Sequence, residues 1–261
     1  MAQHSIKDGT VNGVPLDAIL NPISDDAASV ERIPAQPGNV RTTLPIVIVE
    51  YDQEWPKYFE IYKSRILDAF ASIPTQQTPN GEVSEEELTT APAEHVDILS
   101  VEHVGSTSVP GLPAKAVIDI DLVLSHIGLE AEEFYVPCLE AAGFDFRLRE
   151  PKWHGHRFFA YRRPHESDQT GTDAMPDCNL HVWGPRSPEA ERHRIFRDWL
   201  RQNAEDRELY AKVKKDCAMA SSMGGEDMAR YTARKEAHIR EIMVRACRGF
   251  GYLDRLAQLR P

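Results

Sequence analysis

Residues 117 to 124, Val-Ile-Asp-Ile-Asp-Leu-Val-Leu, constrain the fold more tightly than any other stretch of the chain. Side chains alternate along a strand, so Ile118, Ile120, Leu122 and Leu124 share one face while Val117, Asp119, Asp121 and Val123 share the other. The first set requires a core beneath it. The second sets two carboxylates a few ångströms apart, where like charges repel unless a cation lies between them or one takes up a proton. A divalent metal resolves the conflict. Paired oxygen ligands suit Mg2+, which binds one or two carboxylates and completes its shell with water and substrate phosphates, so a nucleoside triphosphate is the expected partner. An edge strand with a wet polar face is the alternative that the pattern alone leaves open.

The segment in front narrows the choice. The strand-like run "ILSVEHV" ends at Gly105-Ser106-Thr107-Ser108, and twelve residues separate Ser106 from Asp119. Glycine lets a backbone approach phosphate oxygens closely, while hydroxyls and exposed N–H groups donate to them. Gly105, Ser106, Thr107 and Ser108 are therefore the expected phosphate cradle.

Around this centre the periodicity is readable. Ile46 to Glu50 is β-branched and predicts a strand; Trp55, Phe59, Tyr62, Ile66 and Phe70 recur at helical spacing behind Asp52. "GLEAEEFYVPCLEAAG" predicts a helix closed by Gly143, followed by strands at "FDFRLR", "RFFAYR" and "CNLHVW". Beyond residue 186 the pattern is helical, with Ser187-Pro188 opening one helix, Asn203 capping a second, and "EDMARYTARKEAHIREIMVRA" forming a third. Residues 1–44 hold no aromatic residue and are rich in breakers, which predicts a disordered or draped extension. The expected core spans 45–186, with surface insertions at 73–95 and 163–177, and the helical region 187–261 packs on it.

Charge is unevenly distributed. The net formal charge is −11, with −16 in residues 1–144 and +5 in residues 145–261. An acidic chain offers no polynucleotide track, so no nucleic-acid partner is expected. Cations for an anionic ligand must come mostly from the second half. Lys115 is the only Lys or Arg between Arg65 and Arg147, and it stands four residues before Asp119. Lys152, His156 and Arg157 cluster in "PKWHGHRFF", and Arg197 shares a helix face with His193; both groups are candidates to clamp phosphates or a substrate carboxylate. Trp153 and Trp183 are candidates for stacking on a base. Four widely spaced cysteines without a C-x-x-C pair predict reduced thiols. With no long apolar run and no basic-then-apolar start, a cytoplasmic protein without membrane contact is expected.

The combination of a Gly-Ser turn at a strand end with Asp119-Ile120-Asp121 about a dozen residues on resembles the nucleotidyltransferase superfamily related to DNA polymerase beta. More closely, "VEYDQEWPKYFE", "EHVGSTSVPGLPAKAVIDIDLV", "NLHVW", "RHRIFRDWLR" and "YTARKEAHI", in that order across residues 46 to 247, resemble the GrpB family. The resemblance implies an α+β fold: a nucleotidyltransferase-like mixed sheet flanked by helices, with a C-terminal helical bundle. It also implies that Gly105 and Ser106 hold a triphosphate, that Asp119 and Asp121 hold Mg2+, and that a later strand supplies a third catalytic group. There the sequence departs from the superfamily. Leu180-His181-Val182 places histidine where a carboxylate usually sits, as is common in GrpB-like sequences. Neutral histidine suits Mg2+ poorly, which leaves His181 as general base, phosphate donor or hydrogen-bonded structural side chain. The family pattern Y-x-x-x-K falls on Tyr231 and Lys235, from where a lysine reaches a triphosphate from the bundle side.

The expectation is a Mg2+-dependent nucleotidyltransferase-like enzyme, or an ATP-dependent ligase, acting on ATP or another triphosphate and a small-molecule acceptor. Adenylation of a carboxylate for amide formation is a variant of the same phosphate chemistry. A non-catalytic nucleotide-binding or regulatory module is the alternative from a different class.

Overall fold

The computed structural model describes residues 6–7, 9–23, 29–34, 46–72, 96–162, 175–226 and 228–254. Its centre is a six-stranded sheet of order β4-β7-β8-β9-β6-β5. The strands are β4 (Glu31–Arg32), β5 (Ile98–Val104), β6 (Val117–Leu124), β7 (Asp145–Glu150), β8 (His156–Tyr161) and β9 (Asp177–Trp183). Only β6 and β9 run parallel; the other neighbours are antiparallel. In register, Asp119 lies beside Asn179 and Asp121 beside His181.

One face of this sheet is the core. Ile118, Ile120, Leu122 and Leu124 of β6 join Cys178, Leu180 and Val182 of β9, all fully buried, as the alternation predicts. Two helices cover them: α2 (Trp55–Ala71), through Trp55, Phe59, Tyr62 and Ile66, and α3 (Leu129–Ala141), through Ala131, Tyr135 and Leu139. Arg157 belongs to this side. Standing next to Phe159 in the alternation of β8, it turns toward α3 and donates from Nε to Glu132 at 3.0 Å.

The opposite face carries the polar residues and meets α4 (Pro188–Gln202), on which α5 (Ala204–Met223) and α6 (Met228–Gly249) pack in turn. Their starts follow the sequence signals. Ser187 accepts from the Ala190 N–H at 3.4 Å, and Asn203 accepts from the Asp206 N–H at 2.8 Å, each satisfying an orphan donor of the first turn.

One expected element needs correction. Ile46 to Glu50 is not a strand; it makes one isolated bridge, Val49 to Ala114, with N···O distances of 2.8 and 2.9 Å. Val47 and Val49 stay exposed, so the run lacks the second neighbour and the buried face that would extend it. Of the 1–44 extension, expected as disordered or draped, the described residues 9–20 lie on the helical region with structure of their own. Short strands β1 (Ile6–Lys7), β2 (Thr10–Val11) and β3 (Val14–Pro15) make a small antiparallel sheet leading into α1 (Leu16–Leu20). Val11, Val14, Leu16 and Ile19 pack with Ile195, Met243 and Cys247 of the helical region, which supplies the apolar surface the extension lacks on its own. The 73–95 insertion and residues 163–174 lie outside the described residues; Met175 is buried and Pro176 accepts from the Tyr62 hydroxyl at 2.5 Å.

The core face sets a direct expectation. Leu122→Ala should lose about 2–5 kcal/mol of unfolding free energy in a urea titration. Leu129→Ala, at an exposed position, should stay within about 0.5 kcal/mol.

Candidate active-site cleft

Between the polar face of the sheet and the helices lies a cleft of about 390 Å3. Its floor is the start of β6. Val104 closes β5, and Gly105 then takes φ +67°, ψ −168°, a conformation open to glycine. The turn brings the backbone against Asp119: a Cβ on Gly105 would lie 2.9 Å from the Asp119 Cβ and Cγ and closer still to Oδ2. Gly105, Ser106 and Thr107 line the cleft with Asp119, while Ser108 does not. The hydroxyls are unequal. Thr107 Oγ1 donates to the Val117 carbonyl at 3.1 Å and meets His103 Nε2, and Ser108 Oγ donates to the Gly105 carbonyl at 2.6 Å. Those two build the turn. Ser106 pairs with the Tyr210 side chain at the cleft wall.

The two aspartates share one face and have different surroundings. Asp119 Oδ1 accepts from Asn179 Nδ2 at 2.8 Å, and Arg162 fixes that amide by donating to its Oδ1 at 2.9 Å. Burial raises the Asp119 carboxyl above its ordinary range, with the Lys115 ammonium working against the shift. Asp121 lies deeper, only 1% exposed. Its Oδ1 accepts from Trp183 Nε1 at 2.9 Å and its Oδ2 from His193 Nδ1 of α4 at 2.8 Å. Burial opposes its ionisation, but the His193 charge and hydrogen bond outweigh it and hold this carboxyl low. Reciprocally, burial disfavours the His193 cation, yet Asp121 overcomes this and lifts it to about 9.

These contacts bear on the expected Mg2+. The second carboxylate of the dyad already has an imidazolium on one oxygen and an indole N–H on the other, and His181, the third group, is neutral. Among the described residues no three His, Cys, Asp or Glu side chains converge as metal ligands. As arranged, Asp121 is closed to a shared divalent ion while it holds Trp183 and His193, which leaves Asp119 as the carboxylate free of a cationic hydrogen-bond partner among the described residues.

Opposite Asp119 stand three lysines. Lys115 and Lys235 flank the Tyr231 ring, with Nζ 5.7 and 4.2 Å from its centroid, and Lys214 of α5 reaches in to donate to the Pro113 carbonyl. All three line the cleft. Burial lowers the Lys214 ammonium to about 7, with Lys235 adding to the effect, and lowers Lys235 to about 8, with Lys115 adding to it. Lys115 is lowered too, by burial, against the pull of Asp119. Crowded ammonium groups, two half-buried and Lys214 buried, make a site that gains from an anion.

The remaining sequence candidates divide. Arg197 lines the cleft but is held by Glu102 at 2.8 Å, Asp198 at 2.7 Å and the His103 carbonyl at 2.9 Å, so it fastens α4 to β5. Tyr231 and His181 line it as well, as does Trp153. Lys152 is exposed on a turn, and His156 lies behind His181; neither lines the cleft, nor does Arg157 on the other face. Trp183 is fully buried beneath the dyad. Lys214, Asn179 and the pairing of His193 escaped sequence reasoning, because no local signal separates a cleft lysine from a surface one or links His193 to a strand 72 residues away.

Comparison with known proteins agrees with this architecture. The GrpB family model, described as "GrpB protein", matches residues 45–245. UPF0157 protein BH1888 of Halalkalibacterium halodurans is 37% identical over 201 residues, 77% of this chain and 82% of that protein. UPF0157 protein SCO7215 of Streptomyces coelicolor is 33% identical, covering 78% and 85%. A dephospho-CoA kinase of Mycobacterium tuberculosis is 31% identical over 166 residues, 57% of this chain but 39% of the kinase. Among solved structures, the conserved protein GrpB from Enterococcus faecalis superposes with a TM-score of 0.54 at 23% identity, covering 78% of this chain and 99% of that one, a likeness of fold.

Two outcomes are expected from the geometry. Gly105→Ala should destabilise the protein by at least ~1–3 kcal/mol, read by thermal unfolding, because the added methyl meets Asp119 in a strained backbone conformation. The His193–Asp121 pair should appear in the pH dependence of stability. A histidine whose folded pKa is raised contributes fully below its unfolded value, near 6.5, and loses that contribution as pH rises through about 9. Lys214 and Lys235, lowered on folding, act with opposite sign over the same range, so the difference between wild type and His193→Gln carries the test. That difference should shrink by on the order of 1–2 kcal/mol between pH 6.5 and 9.5, discounted for the third of the His193 side chain that is exposed. A pH-independent difference would contradict the pairing.

Proposed function

The chain belongs to the GrpB family and has a nucleotidyltransferase-like fold, and from that premise we propose that its cleft binds a nucleoside triphosphate, ATP or another, and activates or nucleotidylates a small-molecule acceptor. One observation carries the reading: Lys115, Lys214 and Lys235 line the same cleft as the Gly105-Ser106 turn and Asp119, close enough to lower one another's basicity. A polyphosphate would answer Lys115 and Lys235 directly along the Gly105-Ser106 turn, with Lys214, buried and donating to the Pro113 carbonyl, adding its charge.

The chemistry then follows from electrostatics more than from a protein-bound metal. Lysines that gather negative charge at the phosphates favour displacement at the α-phosphorus and departure of pyrophosphate. The Mg2+ expected from the sequence enters as the counter-ion of the triphosphate, a part of the substrate. Asp119, facing Lys115 and fixed by Asn179, orients the lysine that meets the phosphates.

A second reading, a nucleotide-binding module without turnover, is favoured by the closure of Asp121 under His193 and Trp183. Pyrophosphate release across a panel of hydroxyl, amine and carboxylate acceptors separates the two, since binding without release in every case supports the module.

Binding itself has an expected pH signature. A triphosphate raises the lowered lysines, so at pH 8 its binding should take up protons, seen by calorimetry in buffers of different ionisation enthalpy, and affinity should fall from pH 7 to 9. Lys235→Met should weaken ATP by about 10- to 100-fold, the range of a charge-assisted hydrogen bond. ATP affinity indifferent to both pH and Lys235 would remove the basis of the assignment.

A further inference from the structure

Behind the cleft wall runs a line of three side chains that the phosphate site does not use. Glu150, at the end of β7, faces His156 at the start of β8, its register partner, with Oε2 2.5 Å from the His156 Nδ1. The other nitrogen of that ring, Nε2, lies 3.0 Å from Nδ1 of His181 on β9. Trp183 stacks on His156 at a centroid distance of 4.3 Å and holds the ring in plane for both bonds. His156 is 2% exposed, whereas His181 lines the cleft, and its Nε2 has no hydrogen-bond partner among the described residues.

We propose that Glu150 and His156 are positioning residues that fix the tautomer of His181, so that its Nε2 presents an unprotonated lone pair to the cleft as the general base for a hydroxyl-bearing acceptor. The proton count leaves one arrangement of neutral rings. A carboxylate only accepts, so the His156 Nδ1 carries the proton that meets Glu150; His156 Nε2 is then bare and must accept from His181 Nδ1–H. His181 Nε2 is bare in consequence. Burial disfavours the charged form of both imidazoles and keeps them neutral in the resting site, while the Glu150 carboxylate beside His156 supplies the counter-charge for a proton taken up by the line.

The arrangement selects an acceptor class within the proposed function, on which this inference rests. A carboxylate is already ionised near neutrality and needs no base, and a bare ring nitrogen repels it. A hydroxyl needs its proton removed. As the hydroxyl oxygen bonds to the α-phosphorus, the bond from that phosphorus to the bridging oxygen breaks and pyrophosphate leaves with the electron pair. The hydroxyl proton passes to His181 Nε2. The Nδ1 proton of His181 can then shift to His156 Nε2, setting the positive charge beside Glu150, before one proton is returned to solvent with product release.

The test needs no known acceptor for its first arm. Long-range proton–nitrogen NMR of the 15N-histidine-labelled full chain at pH 7 should show His156 and His181 both protonated at Nδ1 and bare at Nε2. Glu150→Gln, whose amide oxygen still accepts, should keep that pattern, whereas Glu150→Leu should lose it at His156. A His181 protonated at Nε2 in the wild type overturns the proposal, whatever the variants do. In the second arm, pyrophosphate release should occur with a hydroxyl panel of sugars and amino alcohols and not with simple carboxylates. His181→Gln should lower it about 10²- to 10⁴-fold while ATP affinity, by calorimetry, is retained. Release with carboxylates alone overturns the acceptor class. Loss of ATP binding in the wild type would instead defeat the triphosphate reading, a result the tautomer spectrum keeps distinct.

Discussion

The pairing of Asp121 with His193 is the interaction on which the arrangement of this molecule turns. A carboxylate placed by strand alternation on the inner surface of β6 cannot be left unpaired at that depth, and α4 brings the cation that neutralises it. The pair therefore sets where α4 lies across the sheet. Arg197, one turn further along the same helix, makes the parallel attachment to Glu102 and the His103 carbonyl on β5. Together the two anchors attach α4 to β6 and β5. The other aspartate, given an amide partner instead of a cation, stays at the cleft floor facing the lysines.

Charge across the cleft is thus divided rather than pooled. The dyad that in a metal-dependent site would share one ion is split: one carboxylate is closed by an imidazolium, and the other is left to balance Lys115. The compensating positive charge appears on the helical side as Lys214 and Lys235, both held with depressed basicity. On the proposed reading, ammonium groups do for the triphosphate much of what a protein-held metal would do, and a buried Glu150–His156–His181 line takes over activation of the nucleophile. Fold and activity therefore have to be argued separately.

Much of the scaffold was legible in the chain. The period-two pattern of β6 placed four apolar residues in the core and both aspartates on one face, and Ser187 and Asn203 marked the helix starts they cap. Gly105 was legible as a close-approach glycine, although what it approaches is Asp119. The sequence was misleading where the deciding contact is remote. Val47 and Val49 look like a strand and find a single bridging partner. Arg157 looks like one of a basic cluster with His156, yet neighbours on a strand face opposite ways, and it serves Glu132. Residues 9–20 look unable to fold because their apolar partners, Ile195 and Met243, belong to helices far along the chain. Lys214 carries no local mark at all; only the packing of α5 against the turn at Pro113 brings it to the cleft.

The most direct measurement is a crystal structure of the full chain soaked with Mg2+ and a nonhydrolysable triphosphate. The account expects the phosphates against Lys115, Lys214, Lys235 and the Gly105-Ser106 turn, any Mg2+ riding on phosphate oxygens, and His193 still hydrogen-bonded to Asp121. A Mg2+ ion bridging Asp119 and Asp121 with His193 swung away, or a triphosphate bound elsewhere, would contradict it.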